Sequence, residues 1–597
     1  MNFLKLKKDL VSFYNILLNE DKKSIKKQIL YETIAISFEP LIVLIFGFFA
    51  VFVSTDTLQI IETNIYLKEI FNYFKFTDEN TFFIVLITAI ILIFIILTFL
   101  NFLINTARID LMFNLKVNLS NKLFYNSINQ DWLFHVKNPK SVLTKKIKND
   151  TTRAVDGVIA TLISLFTNFV KLLVILGTLM IIKVEVASIL IVSVMFFFLF
   201  LNFLLKKKLR NIGESISKLD GTILKHLLNS LSGIKNIILK NQQTFFTKKY
   251  KEFNLNFQKD VKNQQILYLL PPYLSKTIFF IILSIVIIIF KVKLESDIVK
   301  YSFIFTVFIY GFLKILNSAS ICYTNYGKII SNIPSFIIMK KDLEHKFEIK
   351  ELPETTNDMF KNFLKLELRN IDFSYEESLV EIKKVNINLN KGDLIGITGP
   401  TGSGKSTLID IILGLIKQSS GDILVNDQLI NIINMKSWQK IITYVPQQSF
   451  FIEDTLTSNI AFGFDEGKID FQKIKKCVKD SKLEELIEKQ SNKLETIISD
   501  SGLNVSGGEK QRIAIARALY FDFEIIVLDE ATNAMDHQIQ SDILTNLKNL
   551  GKTIILISHT KEVLSLCDKV FFLQNGKIIK NNPVSYTHLT LPTKRIV

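Results

Sequence analysis

Long apolar runs alternate with lysine-rich stretches over the first 335 positions of this 597-residue chain. An α-helix needs about 20 apolar residues to cross the hydrocarbon core of a bilayer. Six runs come close to that length, and they cover residues 34–53, 82–104, 158–182, 184–205, 266–292 and 298–316. One such run would fit the core of a soluble protein. Six together predict an all-α membrane domain over residues 1–335.

Two of the connections between these runs are unusually long. Residues 105–157 and 206–265 contain little Pro or Gly and keep a helical spacing of apolar positions. Long connections without any regular structure are uncommon in compact domains. We therefore predict that the membrane helices extend into the cytoplasm as paired arms, with tips near residues 130–134 and 240–246.

Charge gives the predicted orientation. The net charge is +16, and the lysines and arginines cluster in the N-terminal stretch and in the two long connections. Positive residues favour the cytoplasmic side of a membrane. We therefore predict a multi-pass membrane protein with both termini and both long connections in the cytoplasm. Because the basic stretches flank apolar runs, they do not indicate nucleic-acid binding.

Ionisable residues inside membrane spans are rare and are often functional. The candidates are Glu39, Lys171, Lys276 and Lys314. Three lysines against one glutamate would form a cavity suited to an anionic headgroup, and we list the four as candidate substrate residues. The alternative is that each lysine reaches the membrane interface or pairs with Glu39.

Short apolar strands alternate with helical patterns from residue 363 onward, which is typical of an α/β domain. We predict a linker at 336–362 and a nucleotide-binding domain at 363–582. The predicted fold is thus a six-helix membrane domain with long cytoplasmic extensions, followed by an α/β P-loop domain.

One stretch of this second domain matches the G-x-x-x-x-G-K-[ST] phosphate-binding pattern at every fixed position. A predicted strand at 394–398 precedes it and a predicted helix at 406–416 follows it, as the motif requires. Lys405 would reach the β- and γ-phosphates, and the Ser406 hydroxyl would bind Mg²⁺. The predicted nucleotide-binding residues are Gly399, Pro400, Thr401, Gly402, Ser403, Gly404, Lys405, Ser406 and Thr407.

Three further features accompany the phosphate loop. An apolar strand ends in Asp529 and Glu530, where the first carboxylate would hold the metal and the second would polarise a water. Gly507 and Gly508 open a predicted helix and form a second candidate anion site. His559 follows another strand and would contact the γ-phosphate. Two phosphate-binding turns in one domain predict that nucleotide lies between two copies.

In combination, these motifs resemble those of ABC transporter half-subunits of the exporter type over residues 25–580. The resemblance implies that ATP and Mg²⁺ are the cofactors and that a second half-transporter is the partner, most simply an identical one. It also assigns roles by position. Tyr375 would stack on adenine, and Gln447 would contact the metal and couple the domain to the membrane arms. Ser506, Gly507 and Gly508 would bind the γ-phosphate of the partner's ATP. Asp536 matches the D-loop, and His559 matches the switch histidine.

This chain departs from the family pattern at a few positions. The signature has Val505 for Leu and Glu509 for Gln, the D-loop has Asn533 for Ser and Met535 for Leu, and Asp500 replaces a usual Glu. The predicted catalytic residues Glu530, His559 and Gln447 and the predicted metal ligands Ser406, Gln447 and Asp529 are all retained. The resemblance therefore implies a competent ATP hydrolase.

The cargo is less well defined by the sequence. Residues 31–37 and 310–326 locally resemble flippases for lipid-linked oligosaccharides, and a basic cavity would suit the pyrophosphate of such a glycolipid. A multidrug, lipid or peptide exporter is the alternative. An ATP-gated channel is an alternative of another class, and a soluble ATPase is disfavoured by the membrane spans.

The last stretch, residues 583–597, differs from the rest in composition: it is rich in Thr and lacks periodicity. It resembles translated adapter sequence. We predict a last strand at 569–573 that is followed by a turn at Asn575 and Gly576. We also predict a genuine reading frame that ends near Asn582 and a non-native tail after it.

Overall fold

The computed structural model describes residues 3–45, 73, 79–182, 184–293, 302–344, 359–375, 381–498 and 505–582. The chain forms two compact units. The first comprises Met1–Gln130 and Lys137–Phe347, and the second comprises Asp131–Val136 and Glu348–Val597. The boundary that we predicted at residue 335 falls inside a helix that continues to Glu344. The predicted tail lies outside the described residues.

The described part of the first unit is helical. Its helices, together with the short α4 that crosses into the second unit, are α1 (Phe3–Ile16), α2 (Asn19–Ser37), α3 (Glu79–Ile128), α4 (Trp132–Lys137), α5 (Lys140–Thr144), α6 (Thr151–Ala154), α7 (Ala160–Ile182), α8 (Val184–Ser232), α9 (Ile234–Leu239), α10 (Gln243–Lys293) and α11 (Ser302–Glu344).

Four helical stretches in the described residues are long and apolar enough to cross a membrane. They are Asn19–Ile45, Ile84–Ile128, Lys140–Ile182 and Thr306–Glu344. The predicted fourth and fifth spans lie on α8 and α10, and residues 46–53 of the predicted first span are outside the described ranges. The count of six spans therefore stays a prediction.

The long helices confirm that helical extensions replace the long connections, while their cytoplasmic location stays a prediction. The helix α3 ends at Ile128 and α8 ends at Ser232, and in each case a short helix, α4 or α9, follows before the chain turns back. The predicted tip at 130–134 contains the start of α4. The predicted tip at 240–246 begins just after α9.

Two π-helical turns, Lys145–Asp150 and Val155–Ile159, interrupt the helix that leads into α7. Such turns insert an extra residue into the helical ladder and change which side chains face a neighbour. Here they accompany a fully buried carboxylate. Asp150 accepts a hydrogen bond from Ser335 Oγ at 2.8 Å, and its other oxygen lies 3.4 Å from Lys145 Nζ. The bond from Ser335 connects the α7 arm to α11.

The second unit mixes strands and helices. Its strands are β1 (Lys365–Ser374), β2 (Glu381–Asn390), β3 (Leu394–Thr398), β4 (Ser420–Val425), β5 (Gln428–Leu429), β6 (Ile442–Val445), β7 (Asp454–Thr455), β8 (Ile497–Ile498), β9 (Ile525–Asp529), β10 (Thr553–Ile557), β11 (Lys569–Gln574) and β12 (Lys577–Asn582). Its α-helices are α12 (Lys405–Ile412), α13 (Met435–Ile441), α14 (Leu456–Ile460), α15 (Phe471–Asp480), α16 (Glu484–Lys489), α17 (Gly507–Tyr520), α18 (His537–Asn549) and α19 (Lys561–Leu564).

A six-stranded sheet in the order β12-β11-β3-β10-β9-β6 forms the centre of this unit. Its β6, β9, β10, β3 and β11 pair in parallel, and β12 is antiparallel to β11. The sequences of β3, β9 and β10 are almost wholly apolar and buried, as both faces of a parallel sheet are covered. A separate antiparallel sheet has the order β2-β1-β4-β5.

Two local predictions need correction. The helix after the phosphate loop ends at Ile412 rather than at residue 416, because Gly414 takes a φ of +68° that leaves the helical conformation. The last strand of the described domain is β12 and not the run at 569–573, because the turn at Asn575 and Gly576 leads into a further antiparallel strand.

Candidate nucleotide site

The phosphate loop joins β3 to α12 and contains backbone conformations that only glycine adopts easily. Gly399 has a φ of +153°, and a Cβ on it would lie 2.0 Å from the carbonyl oxygen of Leu573. Gly402 and Gly404 also have positive φ, at +79° and +102°. The glycines therefore shape the loop around a space that backbone N–H groups can line.

Three side chains of the loop fit a phosphate and a metal ion. Lys405 Nζ donates to the carbonyls of Gly399 at 2.8 Å and Pro400 at 3.1 Å, so its ammonium lies against the loop. Burial lowers the pKa of Lys405, and nearby carboxylates oppose that shift. The Ser403 hydroxyl is buried without a hydrogen-bond partner in the described residues, and the Ser406 side chain is exposed. The buried Ser403 hydroxyl is therefore a candidate contact for a bound phosphate.

Parallel strands bring the remaining candidates to the same edge of the sheet. Val445 pairs with Leu528 at the end of β6, and Ile557 pairs with Asp529 at the ends of β10 and β9. Since Gln447 and His559 follow β6 and β10 by two residues, their side chains meet Glu530 at this edge. Ligand sites of open α/β sheets lie at such carboxyl ends.

Three polar side chains contact the Glu530 carboxylate. Gln447 Nε2 donates to its Oε2 at 2.8 Å, and Asn533 Nδ2 donates to the same oxygen at 3.3 Å. His559 Nε2 lies 3.4 Å from Oε1. Glu530 itself has a φ of +50°, a conformation that non-glycine residues adopt rarely, and its N–H donates to the Ile557 carbonyl at 3.1 Å. The carboxylate is thus held in one position.

Asp529, one residue earlier, is held by a different partner. The Tyr444 hydroxyl donates to Asp529 Oδ2 at 3.1 Å. Burial raises the pKa of Asp529, and the bond from Tyr444 opposes that shift. Burial also raises the pKa of Tyr444, with the charge of Asp529 adding to the effect. An oxygen ligand that is costly to ionise in a buried site would gain from a nearby Mg²⁺.

The signature turn forms a complete capping box. The Ser506 N–H donates to Glu509 Oε2 at 2.6 Å, and the Glu509 N–H donates to Ser506 Oγ at 3.3 Å. A Cβ on Gly508 would lie 2.7 Å from the Ala534 carbonyl oxygen, so the loop that follows β9 passes directly over this turn. The N-terminus of the 14-residue helix α17 is therefore well defined, with Glu509 turned back onto Ser506.

The structure places the remaining predicted residues individually. Asp536 precedes α18, and its side chain makes no capping bond there. The Tyr375 ring lies perpendicular to that of Phe373 with 4.9 Å between centroids. Thr401 is exposed and Thr407 is buried. Asp500 lies outside the described residues.

Comparison with known families matches both units in the predicted order. The model of the ABC transporter transmembrane region matches residues 41–292, and that of the ABC transporter matches residues 382–533. The chain belongs to the ABC transporter family. Its membrane and ATPase regions are fused in one polypeptide, which is the exporter type of arrangement, and an ABC ATPase domain binds ATP.

Individual ABC proteins give a consistent picture. A Rickettsia typhi protein, named for export, ATP binding and permease function, is 37% identical over 218 residues, which are 36% of this chain and 38% of that protein. An ATP-dependent lipid A-core flippase of Ralstonia nicotianae is 28% identical over 219 residues, which are 36% of this chain and 37% of the flippase. The matches thus span well under half the length of these relatives.

A solved structure matches almost the whole ABC chain. It is a bacterial Atm1-family ABC exporter with ATP bound, with a TM-score of 0.76, 18% identity, and coverage of 94% of this chain and 96% of that one. At this identity the likeness shows the fold alone.

Sequence reasoning missed one ABC-domain residue that joins two parts of the site. Gln511, which is 8% exposed, donates to the Glu530 carbonyl at 3.2 Å and accepts from the Ala534 N–H at 3.1 Å. The only sequence signal is a glutamine one turn before the buried Ile515 on an otherwise apolar helix face. Tyr444 and the Asn533 amide were likewise not predicted as partners of the two carboxylates.

In the membrane unit of the ABC chain, three of the four candidate substrate residues meet. Glu39 is 6% exposed and pairs with Lys171 through one oxygen, while Lys314 Nζ lies 3.4 Å from the other. Lys276 instead lies over the ring of Tyr273, 5.7 Å from its centroid. Two lysines on one buried glutamate leave one positive charge in excess.

Proposed function

We propose that this chain is one half of an ATP-driven exporter that moves an amphipathic substrate across the bacterial inner membrane, with its termini in the cytoplasm. The observation that carries the proposal is the convergence of Gln447, Asp529, Glu530 and His559 beside the phosphate loop at the carboxyl edge of the sheet. Such an arrangement suits hydrolysis of a nucleoside triphosphate.

In this proposal the side chains at the edge bind the phosphates, position the catalytic carboxylate and hold the metal. The loop N–H groups and Lys405 hold the phosphates, and Glu530 accepts a proton from the attacking water. Gln447, Asn533 and His559 fix the direction of the carboxylate through the bonds described above. Ser406, Gln447 and Asp529 would hold Mg²⁺, which would neutralise charge that develops on the phosphates.

A second copy of the chain would complete the site. Ser506, Gly507 and Gly508 start a 14-residue helix whose positive end favours an anion. Two domains that face each other would place this turn of one chain over the phosphates held by the other. ATP would thus favour the closed dimer, and hydrolysis would release it, so that the membrane helices alternate between two states.

The preferred cargo in this proposal is a lipid-linked oligosaccharide. The excess positive charge at Glu39, Lys171 and Lys314 would suit a pyrophosphate, and the ion pairs keep the two lysines together. Lys276 has a different neighbour, so we propose it as a separate contact on the substrate path. A related protein, the lipid A-core flippase, is named for a lipid carrying sugars.

The test is ATP hydrolysis by the full chain in lipid nanodiscs, with and without a polyprenyl-pyrophosphate oligosaccharide. We expect the glycolipid to stimulate hydrolysis, and we expect the Glu530→Gln variant to lower both rates roughly 10²–10⁴-fold. Basal hydrolysis that the glycolipid leaves unchanged would exclude this cargo and favour a multidrug, lipid or peptide exporter. An ATP-dependent ionic conductance would instead support a channel.

A further inference from the structure

The loop that carries Gln447 is held in shape by a buried asparagine. This loop, residues 446–453, joins β6 to β7, and we call it the β6–β7 loop. Asn459 of α14 is completely buried, and its Nδ2 donates to the carbonyls of Ile452 at 3.0 Å and Asp454 at 3.2 Å. Its Oδ1 accepts from the Ile452 N–H at 3.1 Å. The far end of the β6–β7 loop is therefore tied to α14.

Arg517 of α17 bonds to the same loop and to the same asparagine. Its Nη1 donates to the Phe450 carbonyl at 2.7 Å. Its Nε and Nη2 donate to the carbonyl and the Oδ1 of Asn459, at 2.7 and 3.0 Å. The guanidinium also lies over the rings of Phe451 and Phe462, 5.2 and 4.9 Å from their centroids. A planar group with this many partners joins α17 to the β6–β7 loop in one geometry.

The near end of the β6–β7 loop lies at the nucleotide site. Gln447 donates to Glu530 Oε2 at 2.8 Å, and we have proposed it as a ligand of Mg²⁺. Two residues separate Gln447 from Phe450, so the chain between them spans at most about 11 Å. A shift of Gln447 is therefore transmitted over a short length of chain to the carbonyl that Arg517 binds.

The helix α17 is packed on two faces and begins at the signature turn, residues 506–508. Its Ala516 belongs to a hydrophobic cluster with α14 and α15, and its Ile515 belongs to the cluster of the central sheet. Arg517 lies about 15 Å along the helix from Gly507. Because the helix is rigid over this length, a displacement at Arg517 also moves the signature turn.

We propose that Arg517 is a positioning residue that couples the two nucleotide sites of a dimer. This rests on the proposed function, in which Gln447 contacts the metal of one ATP and the signature turn of the same chain contacts the ATP of the other chain. ATP at the phosphate loop fixes Gln447, and the β6–β7 loop passes this constraint to Arg517. The helix α17 then holds the signature turn where it binds the second ATP. Since such coupling is reciprocal, each ATP raises the affinity for the other by the same factor.

The test is the concentration dependence of ATP binding by the full chain in lipid nanodiscs. The Glu530→Gln background is used so that bound ATP is turned over slowly. We expect a sigmoidal isotherm in this background, with a Hill coefficient between about 1 and the ceiling of about 2 that two sites set. A hyperbolic isotherm in this background would overturn the proposal.

Arg517→Lys in the same background should bring the Hill coefficient close to about 1, because lysine keeps the charge but lacks the fork that reaches the loop and Asn459 at once. Arg512→Lys is the matched control. Arg512 lies on the same helix and donates to the Lys482 carbonyl outside the β6–β7 loop, so this variant should keep the Hill coefficient of its parent.

Two further readouts separate coupling from stability and from hydrolysis. An Arg517→Lys variant with a lower thermal midpoint and an unchanged Hill coefficient would show that Arg517 only stabilises the domain, and would overturn the proposal. Phe462→Leu removes one exposed ring beside the guanidinium and should lower the coefficient partway. An unchanged coefficient in that milder variant would overturn the proposal even if Arg517→Lys failed to fold. Absence of phosphate release by the wild-type chain would overturn the proposed function, whereas the binding isotherms decide the coupling.

Discussion

Gln511 offers a sharp test of how the nucleotide site is held together. Its amide donates to the Glu530 carbonyl at 3.2 Å and accepts from the Ala534 N–H at 3.1 Å, so one side chain joins the end of β9 to the loop that follows. Gln511→Ala removes both bonds and leaves two backbone groups without these partners. We expect the loop around Ala534 to move and Glu530 to lose its fixed position.

The size of the effect follows from the two lost bonds. A hydrogen bond contributes about 0.5–1.5 kcal/mol net, so two bonds at a site that is 8% exposed contribute about 2 kcal/mol. If that free energy is lost only in the active arrangement, hydrolysis falls roughly 30-fold, since about 1.4 kcal/mol corresponds to a factor of ten.

The assay is the rate of phosphate release by the full chain at saturating ATP, together with the temperature at which activity is lost. Gln472→Ala changes an exposed glutamine at the start of α15 and is the matched control, which we expect to behave as wild type. A Gln511→Ala variant with a rate within twofold of wild type would refute the reasoning about the two bonds.

Three further predictions concern the same domain. Burial raises the pKa of Asp410 to about 6, so the cost of ionising it in the folded state grows as the pH rises from about 4 to 6 and is constant above that. Asp410→Asn should therefore raise the midpoint of thermal unfolding more at pH 8 than at pH 5. Equal shifts at the two pH values would contradict this. Trp438 is fully buried and donates to the Ile412 carbonyl at 2.7 Å. Trp438→Phe leaves that carbonyl without its partner and should lower the free energy of unfolding by about 1–3 kcal/mol, seen as a lower midpoint of heat inactivation. An unchanged midpoint would refute this prediction. Glu509→Gln should keep the bond from the Ser506 N–H and remove a negative charge beside the proposed phosphate position. The KM for ATP should therefore fall a few-fold. An unchanged KM would argue against that phosphate position.

The sequence predicts the nucleotide domain well where local patterns have one physical meaning. The apolar run that becomes β3 was predicted with the observed bounds, Leu394–Thr398. The strand that ends at Asp529 was likewise identified, because an apolar run that stops at two acids leaves little choice of register. Parallel pairing then brings the strand ends together, so the meeting of Gln447, Glu530 and His559 follows from topology.

Other features depend on packing that a single sequence does not reveal. Gln511 has the spacing of a core residue, and only the fold shows that it bonds to two separate loops. The π-helical turns at Lys145–Asp150 and Val155–Ile159 leave no distinct pattern. The four ionisable membrane residues were predicted as one group, yet the described contacts of Lys276 are with Tyr273 and not with Glu39, because helix rotation decides which lysines meet.

In the proposed mechanism Glu530 accepts a proton from the water that attacks ATP bound at the phosphate loop. The most direct measurement compares phosphate release by the wild-type chain and by the Glu530→Gln variant. Glu485→Gln, which changes an exposed residue on α16, is the control, and ATP binding is measured for all three proteins. We predict that Glu530→Gln still binds ATP but releases phosphate roughly 10²–10⁴-fold more slowly, as loss of a general base would give, while the control matches wild type. Hydrolysis by Glu530→Gln at the wild-type rate would contradict the proposed role of this carboxylate.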